Sequence, residues 1–148
     1  MANYVSMDDM YPIIADVLER DGQISINVTG ISMQPMLYNM RDSVTLKKSD
    51  GKLKKYDLPL YKREDGKYIL HRIIKVHKNG YYTCLGDNTW KKEYPVKPSQ
   101  IIGVVTSFNR NGKEISVENK GYKLYVKTWK FFHPFKKFYK YVAPIIKK

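Results

Sequence analysis

The sequence predicts a mostly β protein: a small antiparallel β barrel or folded sheet, preceded by one helix and followed by a basic aromatic helix or tail. Two observations predict this class. Seven or eight short segments have the composition and alternation of strands, and Asp-Gly or Asn-Gly pairs separate several of them. A length of 148 residues fits one domain with a substantial core. We expect residues 1–120 to form that domain and residues 121–148 to form the tail.

The first element is a short amphipathic helix over residues 7–20, with acidic residues in its first turn. Gly22 follows and is expected to end the helix. The apolar residues of the segment recur at helical spacing and predict one buried face: Ile13, Ile14, Val17 and Leu18.

The strand-like segments follow this helix, and most show the period-2 alternation of a half-buried strand. Pro59, in the segment LPLYKR, indicates an edge strand or a bulge. The run KYILHRIIKVHK is the longest β-rich segment and contains His71. The predicted strands occupy residues 23–30, 43–48, 58–63, 67–78, 81–86, 101–109 and 113–119.

The last segment, residues 121–148, is rich in lysine and aromatic residues and contains no acidic residue. Pro134 is expected to break or kink a helix there. Two interpretations stay open, because both need an amphipathic stripe. The segment either packs its aromatic residues on the β domain or lies on an anionic membrane surface through Trp129 and Phe131 to Tyr141.

The charge balance is strongly basic, with 27 Lys and Arg against 14 Asp and Glu and a net charge of +13. This favours polyanionic partners. We expect no specific nucleic-acid partner, because the lysines are spread along the chain without a recognition-helix or RNA-binding motif. Cys84 is the single cysteine, so it cannot form an internal disulfide and is predicted to be a small buried hydrophobe. Nothing around it has metal-ligand spacing, and no cofactor is expected.

No uninterrupted apolar run approaches the roughly 18 residues of a membrane-spanning helix. The first 21 residues carry acids where a signal peptide would carry Lys or Arg. We therefore expect a cytoplasmic chain, with the basic aromatic tail as a route to peripheral association with a membrane.

The segment GISMQPML contains the candidate nucleophile, Ser32, between Gly30 and Pro35. Gly and Pro punctuate turns, so a structural turn between two strands is one interpretation. The other is a serine nucleophile, which at neutral pH needs an adjacent base. His71, in the apolar run YILHRIIKV, is the candidate base, although a lone histidine there also fits a core position.

The third group of candidates lies in GDNTWKKE, residues 86–93. Asp87 and Asn88 follow Gly86 and are predicted to form an Asx-type turn. Glu93 is the candidate carboxylate that orients the histidine and stabilises its protonated form, as serine hydrolase chemistry requires. Asp87 is the fallback for that role.

Six segments in order, GISMQPML, RDSVTL, KKYDLPLYKR, KYILHRIIKV, LGDN and IIGVV, resemble the signal peptidase and LexA-type superfamily of serine proteases over roughly residues 22–106. By this resemblance the Ser-Met-x-Pro motif places the nucleophile on Ser32. In the strand that corresponds to YILHRII, bacterial signal peptidases have a general-base lysine, whereas the archaeal and endoplasmic-reticulum type has histidine. His71 matches this second type. Glu93 falls where that type has an acid, with Glu in place of Asp.

The sequence departs from the family at three places. Tyr56 stands where the family usually has glycine, and Pro59 lies inside the strand that follows. The N-terminal membrane anchor of the signal peptidases is not expected in this sequence.

The resemblance implies a serine endopeptidase that cleaves an extended signal- or leader-like peptide with small residues before the cut. Ser32 would attack the scissile carbonyl, His71 would transfer the proton, and Glu93 would hold the imidazole tautomer. The backbone N–H groups of Ser32 and Met33 are candidates for the oxyanion hole, and Gly30 would let the substrate approach closely. The substrate is expected to add to an exposed strand edge, at NVTG or at the strand bearing His71.

Three alternatives remain beside this hypothesis. The main alternative from another class is a non-catalytic basic β domain that binds nucleic acid or another polyanion, although its lysines are spread along the chain without a recognition motif. A self-cleaving repressor belongs to the same superfamily, but the first twenty residues are too short for a helix-turn-helix. An inactive family member would retain the fold as a scaffold.

Overall fold

The computed structural model describes residues 7–50 and 52–146, and the side chains of residues 10, 12–50 and 52–133. Its elements, in chain order, are α1 Met7–Asp21, β1 Gln23–Asn27, β2 Ser43–Lys47, β3 Pro59–Lys62, β4 Tyr68–Leu70, β5 Arg72–Val76, β6 Tyr82–Leu85, β7 Glu93–Val96, a 3₁₀ turn Pro98–Gln100, β8 Ile101–Arg110, β9 Lys113–Ser116 and α2 Lys120–Ile146.

The strands form two antiparallel sheets. The larger has the order β1-β2-β8-β3-β4, with β9 paired to β8, and the smaller has the order β5-β6-β7. The mostly β class, the antiparallel pairing and the two helices are as predicted. The larger sheet is folded but does not close into a barrel, because its end strands β1 and β4 are not paired to each other. A cavity of about 130 Å³ lies between these two edges.

The chain passes from the larger sheet to the smaller one at His71. The predicted single strand over residues 67–78 is therefore wrong: β4 ends at Leu70, β5 begins at Arg72, and the two belong to different sheets. Hydrophobic patterning cannot show this, because both halves of the run are apolar and each is a strand.

Two further strands differ from the predictions. β3 pairs with both β4 and β8, so the edge position predicted from Pro59 is wrong, whereas a register shift between Leu60 and Tyr61 confirms the predicted irregularity. Pro59 is the first residue of its strand, where a missing N–H is tolerated. The strand β7 contains Pro95 and was not predicted.

Two apolar cores fill the protein. The larger contains Ile14 and Leu18 of α1 and the inward side chains of the larger sheet. The smaller surrounds Tyr61 and Ile73 and includes Cys84, which is fully buried as predicted. Burial raises the pKa of the Cys84 thiol to about 12, so this cysteine stays protonated at neutral pH.

The helix α2 packs on the β domain through its first turns. Val126 and Trp129 are buried, and Tyr122 and Tyr125 pack against the larger core. The predicted break at Pro134 is not present, since the helix continues to Ile146. A proline removes only one donor from a helix, and the turns on either side retain theirs. Across residues 7–50 and 52–146, no helix has the combination of length and hydropathy needed to cross a bilayer.

Candidate active site

Ser32 lies in a compact loop between β1 and β2. Gly30 begins the loop with φ 82°, a left-handed conformation that favours glycine, and its N–H donates to Asn39 Oδ1 at 2.9 Å. Beyond Ser32 the chain makes two turns whose apolar side chains point inward, so Met33 and Leu37 are almost fully buried. Core packing therefore holds the loop, while Ser32 itself is half-buried at the cavity between the sheet edges.

The turn Gly86–Thr89 clamps the Ser32 loop from the other side. The Asn88 backbone N–H donates to Ser32 O at 2.8 Å, and its side-chain amide donates to Ile31 O at 3.1 Å. These bonds engage the backbone of the loop and leave the Ser32 hydroxyl out of the contact. Within the described residues, that hydroxyl has no hydrogen-bond partner in the protein.

Gly86 is the point where the Ser32 loop and His71 meet. A methyl group at Gly86 would lie 2.7 Å from Ser32 O and 2.9 Å from His71 Nε2, so no side chain larger than hydrogen fits without displacing one of them. Because both atoms are this close to one point, Ser32 O and His71 Nε2 are less than about 6 Å apart. The structure thus brings the predicted nucleophile loop and the predicted base together, without a direct hydrogen bond between the two described side chains.

His71 is a buried imidazole, 5% exposed. The pKa of His71 is lowered to about 4, chiefly by burial and also by the positive charge of Arg63, while Asp87 acts in the opposite direction. The ring Nδ1 is buried and has no hydrogen-bond partner among the described residues. At neutral pH the ring is therefore neutral, and Nε2 lies beside Gly86.

The role predicted for Glu93 is not seen in this arrangement. Its carboxylate accepts a hydrogen bond from Tyr61 OH and forms an ion pair with Arg63, and it does not contact His71. The link to the histidine is indirect, since the Tyr61 ring meets the His71 ring edge-on at 6.4 Å between centroids. The Glu93 carboxylate, which the sequence analysis assigned to the imidazole, pairs with the nearby Arg63 instead.

Asp87 does not orient His71 either, although the turn predicted at Asp87 and Asn88 is present. Thr89 N–H donates to Gly86 O, which closes an ordinary turn, while the Asp87 carboxylate leaves it and pairs with Arg72 at 2.9 Å through both oxygens. Tyr125 OH also donates to it, at 2.9 Å. A buried guanidinium is costly without a counter-charge, and the Asp87 carboxylate provides one for Arg72.

Arg72 is a structural residue that the sequence reasoning missed. It is fully buried next to His71 and uses its donors on four separate segments: Asp87, Met36 of the Ser32 loop, Tyr56 O, and Tyr122 of α2. An arginine inside an apolar strand was the available signal, because a buried charge needs partners. Tyr56 holds a backbone φ of 78°, a left-handed conformation that favours glycine.

Of the predicted site residues, Ser32 and Met33 line the cavity between the sheet edges. In the described part of the chain, the backbone N–H groups of Ser32 and Met33 donate to no acceptor. A methyl group at Gly30 would meet nothing within 4 Å, which leaves open space beside it. Val28 and Leu70, from the two sheet edges, line the same cavity as Ser32.

The helix α2 is joined to this region by polar contacts. Trp129 Nε1–H donates to Asp87 O at 3.0 Å, and His133 Nε2–H donates to Thr89 O at 2.9 Å. The turn that clamps Ser32 is therefore itself held by α2. Among the residues that the structure describes, no group of three or more His, Cys, Asp or Glu is arranged to hold a metal ion.

Comparison with protein-family models, with curated proteins and with solved structures finds no match to this chain, so its functional assignment depends on the geometry described above.

Proposed function

We propose that this chain is a serine endopeptidase of the signal peptidase and LexA type, with Ser32 as nucleophile and His71 as base. The observation that carries the proposal is the meeting of the Ser32 loop and His71 Nε2 at Gly86. Catalytic hydrogen bonds are often long in unliganded enzymes and tighten when substrate binds. Rotation of the half-buried Ser32 side chain is the movement that would form this one.

The protonation state of His71 supports its role as a base. An imidazole accepts a proton only when it is neutral, and burial keeps the pKa of His71 near 4. His71 Nε2 would take the Ser32 proton as Oγ bonds to the scissile carbonyl carbon, and would then give it to the leaving amine as the peptide bond breaks. A water molecule would then attack the acyl carbon and give a proton to His71 Nε2. His71 would pass a proton to Ser32 Oγ as the ester bond breaks, which releases the acyl group and restores the serine.

The backbone of the Ser32 loop supports stabilisation of the oxyanion. The N–H groups of Ser32 and Met33 have no acceptor among the described residues, and they belong to successive residues of a loop that core packing holds in place. Fixed donors of this kind stabilise the negative charge that develops on the carbonyl oxygen during acyl transfer.

The two open sheet edges support an extended peptide as substrate. β1 and β4 each have one strand neighbour in the described sheet, and the cavity beside Ser32 lies between them. A peptide inserted there would hydrogen-bond to a strand edge as an additional strand. The cavity holds only about 130 Å³, which favours small side chains next to the cut.

The test is digestion of a peptide library, with cleavage products identified by mass spectrometry. The wild type should cleave after small residues. Ser32→Ala should lower turnover at least a thousandfold, since removal of a nucleophile leaves only binding and oxyanion stabilisation. His71→Ala should lower turnover severely, and both variants should remain folded.

Matched variants separate chemistry from folding. Ser99→Ala changes an exposed serine outside the cavity, and His77→Ala changes a histidine that bonds Thr83 on the smaller sheet. Both should keep wild-type turnover. Equal turnover in wild type and Ser32→Ala would overturn the proposal, and a wild type that neither cleaves peptides nor reacts with an active-site serine probe would leave an inactive scaffold.

A further inference from the structure

The outward face of α2 exposes large apolar side chains. Leu124, Phe131 and Phe132 are 63%, 67% and 57% exposed. Leu124 and Phe131 are seven residues apart, which places them two helical turns apart on the same face. The opposite face carries Val126 and Trp129, both buried against the β domain. The helix is therefore apolar on two opposite faces, and the β domain covers only one of them.

The sequence continues the apolar spacing of this row along the helix. Apolar residues follow Phe131 at positions 135, 138 and 142, with spacings of four, three and four residues. These spacings keep the positions on one side of an α-helix. The helix has 27 residues and is about 40 Å long at 1.5 Å per residue. The row from Leu124 to position 142 accounts for most of that length.

Lysines flank this face. Lys127 and Lys130 are exposed on α2, and no acidic residue occurs between Glu118 and the last residue of the sequence. Lys55 lies close by, because its Nζ and that of Lys130 are 5.1 and 5.7 Å from the centroid of the same Tyr56 ring. Two cations on one ring, beside a helix without acids, create a local excess of positive charge.

We propose that α2 docks this protein on the surface of an anionic lipid bilayer. Leu124, Phe131 and Phe132 would enter the interface between headgroups and acyl chains, while Lys127 and Lys130 would contact anionic headgroups. An amphipathic helix with apolar aromatic residues and flanking lysines binds membranes through these two contributions. A second copy of the chain is a poorer occupant, because pairing two such faces would bring lysine rows of like charge together.

Docking through α2 would also bring the proposed active site near the lipid, a consequence that depends on the proposed function. Trp129 and His133 tie the helix to the turn that clamps Ser32. A helix with its side chains is about 10 Å across, so the turn that clamps Ser32 would lie roughly that far from the apolar contact with the bilayer, with the site directly behind it. The substrates within reach would be membrane-associated peptides.

The experiment is sedimentation with vesicles, using the full chain with Ser32→Ala so that binding is measured without cleavage. Vesicles of phosphatidylcholine with phosphatidylglycerol should bind the chain at least tenfold more tightly than vesicles of phosphatidylcholine alone. Lys127→Gln with Lys130→Gln should weaken binding roughly 30-fold, since each lysine contributes about 1 kcal/mol near an anionic surface. The matched pair Lys78→Gln with Lys113→Gln lies outside α2 and should retain binding.

The apolar contribution has its own variants. Replacement of Leu124, Phe131 and Phe132 by serine should lower the bound fraction at least tenfold. The control Ile13→Ser with Val76→Ser removes exposed apolar residues of α1 and β5, and it should bind as the parent does. Circular dichroism checks that each variant is folded.

Two results would overturn the proposal. The first is binding to anionic vesicles that the serine variants of α2 leave unchanged. The second is absence of vesicle binding together with a dimer in light scattering that the same variants convert to a monomer, which would assign the face to self-association. Neither result depends on whether the chain cleaves peptides, so failure of docking and failure of the proposed activity are distinguishable.

Discussion

Two acid–arginine pairs act on the charge of His71, and they differ in burial. Asp87 and Arg72 are both fully buried. Glu93 and Arg63 form an ion pair whose side chains are 16% and 35% exposed. The buried pair joins four segments of the fold, whereas the half-exposed pair bonds only one further described side chain, Tyr61. The Asp87–Arg72 pair therefore stabilises the architecture, whereas the Glu93–Arg63 pair mainly affects the electrostatic potential at His71.

The difference also appears in the effect of each pair on the histidine. Asp87 raises the pKa of His71 and Arg63 lowers it, so the charges of the two pairs act in opposite directions. Burial and Arg63 together outweigh Asp87. Three predictions test this division between a structural pair and an electrostatic one.

Removing the buried carboxylate is expected to have the largest effect. Asp87→Ala would leave the Arg72 guanidinium buried without its counter-charge, which costs about 3–5 kcal/mol of unfolding free energy. Urea denaturation at pH 7 measures the loss. The control is Asp16→Ala, which removes an exposed pair with Arg20 and should cost less than about 1 kcal/mol. Equal losses of unfolding free energy in the two variants would show that the buried pair contributes no more to stability than the exposed pair.

Acidification is expected to have the next largest effect. The pKa of His71 is about 4 in the folded chain and 6.5 in the unfolded chain, so the unfolded state binds more protons between these values. The contribution of His71 to stability is therefore present above pH 6.5 and is lost as pH falls to about 4. The difference is about 3 kcal/mol at 1.36 kcal/mol per pKa unit.

The measurement for this second prediction is the change in urea unfolding free energy between pH 7 and pH 4. His71→Gln should lose about 3 kcal/mol less than the wild type across this range. His77→Gln leaves His71 in place and should retain the wild-type loss. An identical pH dependence in wild type and His71→Gln would mean that the imidazole is not held neutral by its surroundings.

Changing the half-exposed acid is expected to have the smallest effect. Glu93→Gln keeps an acceptor for Tyr61 OH and weakens a pair that is partly open to solvent, so the loss in unfolding free energy should stay below about 1 kcal/mol. Turnover at pH 7 should change less than threefold, because Glu93 does not contact His71. A loss of turnover above tenfold, without loss of stability, would instead show that Glu93 moves to the imidazole during catalysis.

Much of the fold follows from local patterns in the sequence. Alternation predicted β1 and β2, and helical spacing predicted the buried face of α1 with Ile14 and Leu18. The passage of the chain from the larger sheet to the smaller one at His71 was not predicted. An apolar run has the same pattern whether or not its two halves belong to one sheet. The interior position of β3 was missed for a related reason: Pro59 suggests an edge, but it stands at the first residue of the strand and costs no ladder bond.

The candidate site was predictable in its residue types but not in its pairings. Ser32 and His71 were selected by the chemistry that a serine nucleophile needs, and the structure brings the loop of one to the ring of the other. Glu93 and Asp87 were assigned to the histidine because serine hydrolase chemistry needs a carboxylate there, and the need of the buried Arg72 for a partner was not considered. Each carboxylate instead pairs with an arginine, Arg63 or Arg72, and a cation is the stronger partner for a carboxylate than a neutral imidazole.

The clamp on the Ser32 loop has a consequence for how this position changes over generations. The loop is held through the Ser32 carbonyl and the buried side chains around it, so the fold makes no demand on the hydroxyl. A change of Ser32 to alanine by genetic drift would therefore not lower the stability of the fold. Only selection for the reaction itself would keep the oxygen in place, and natural variation at this one position would reveal whether that selection acts.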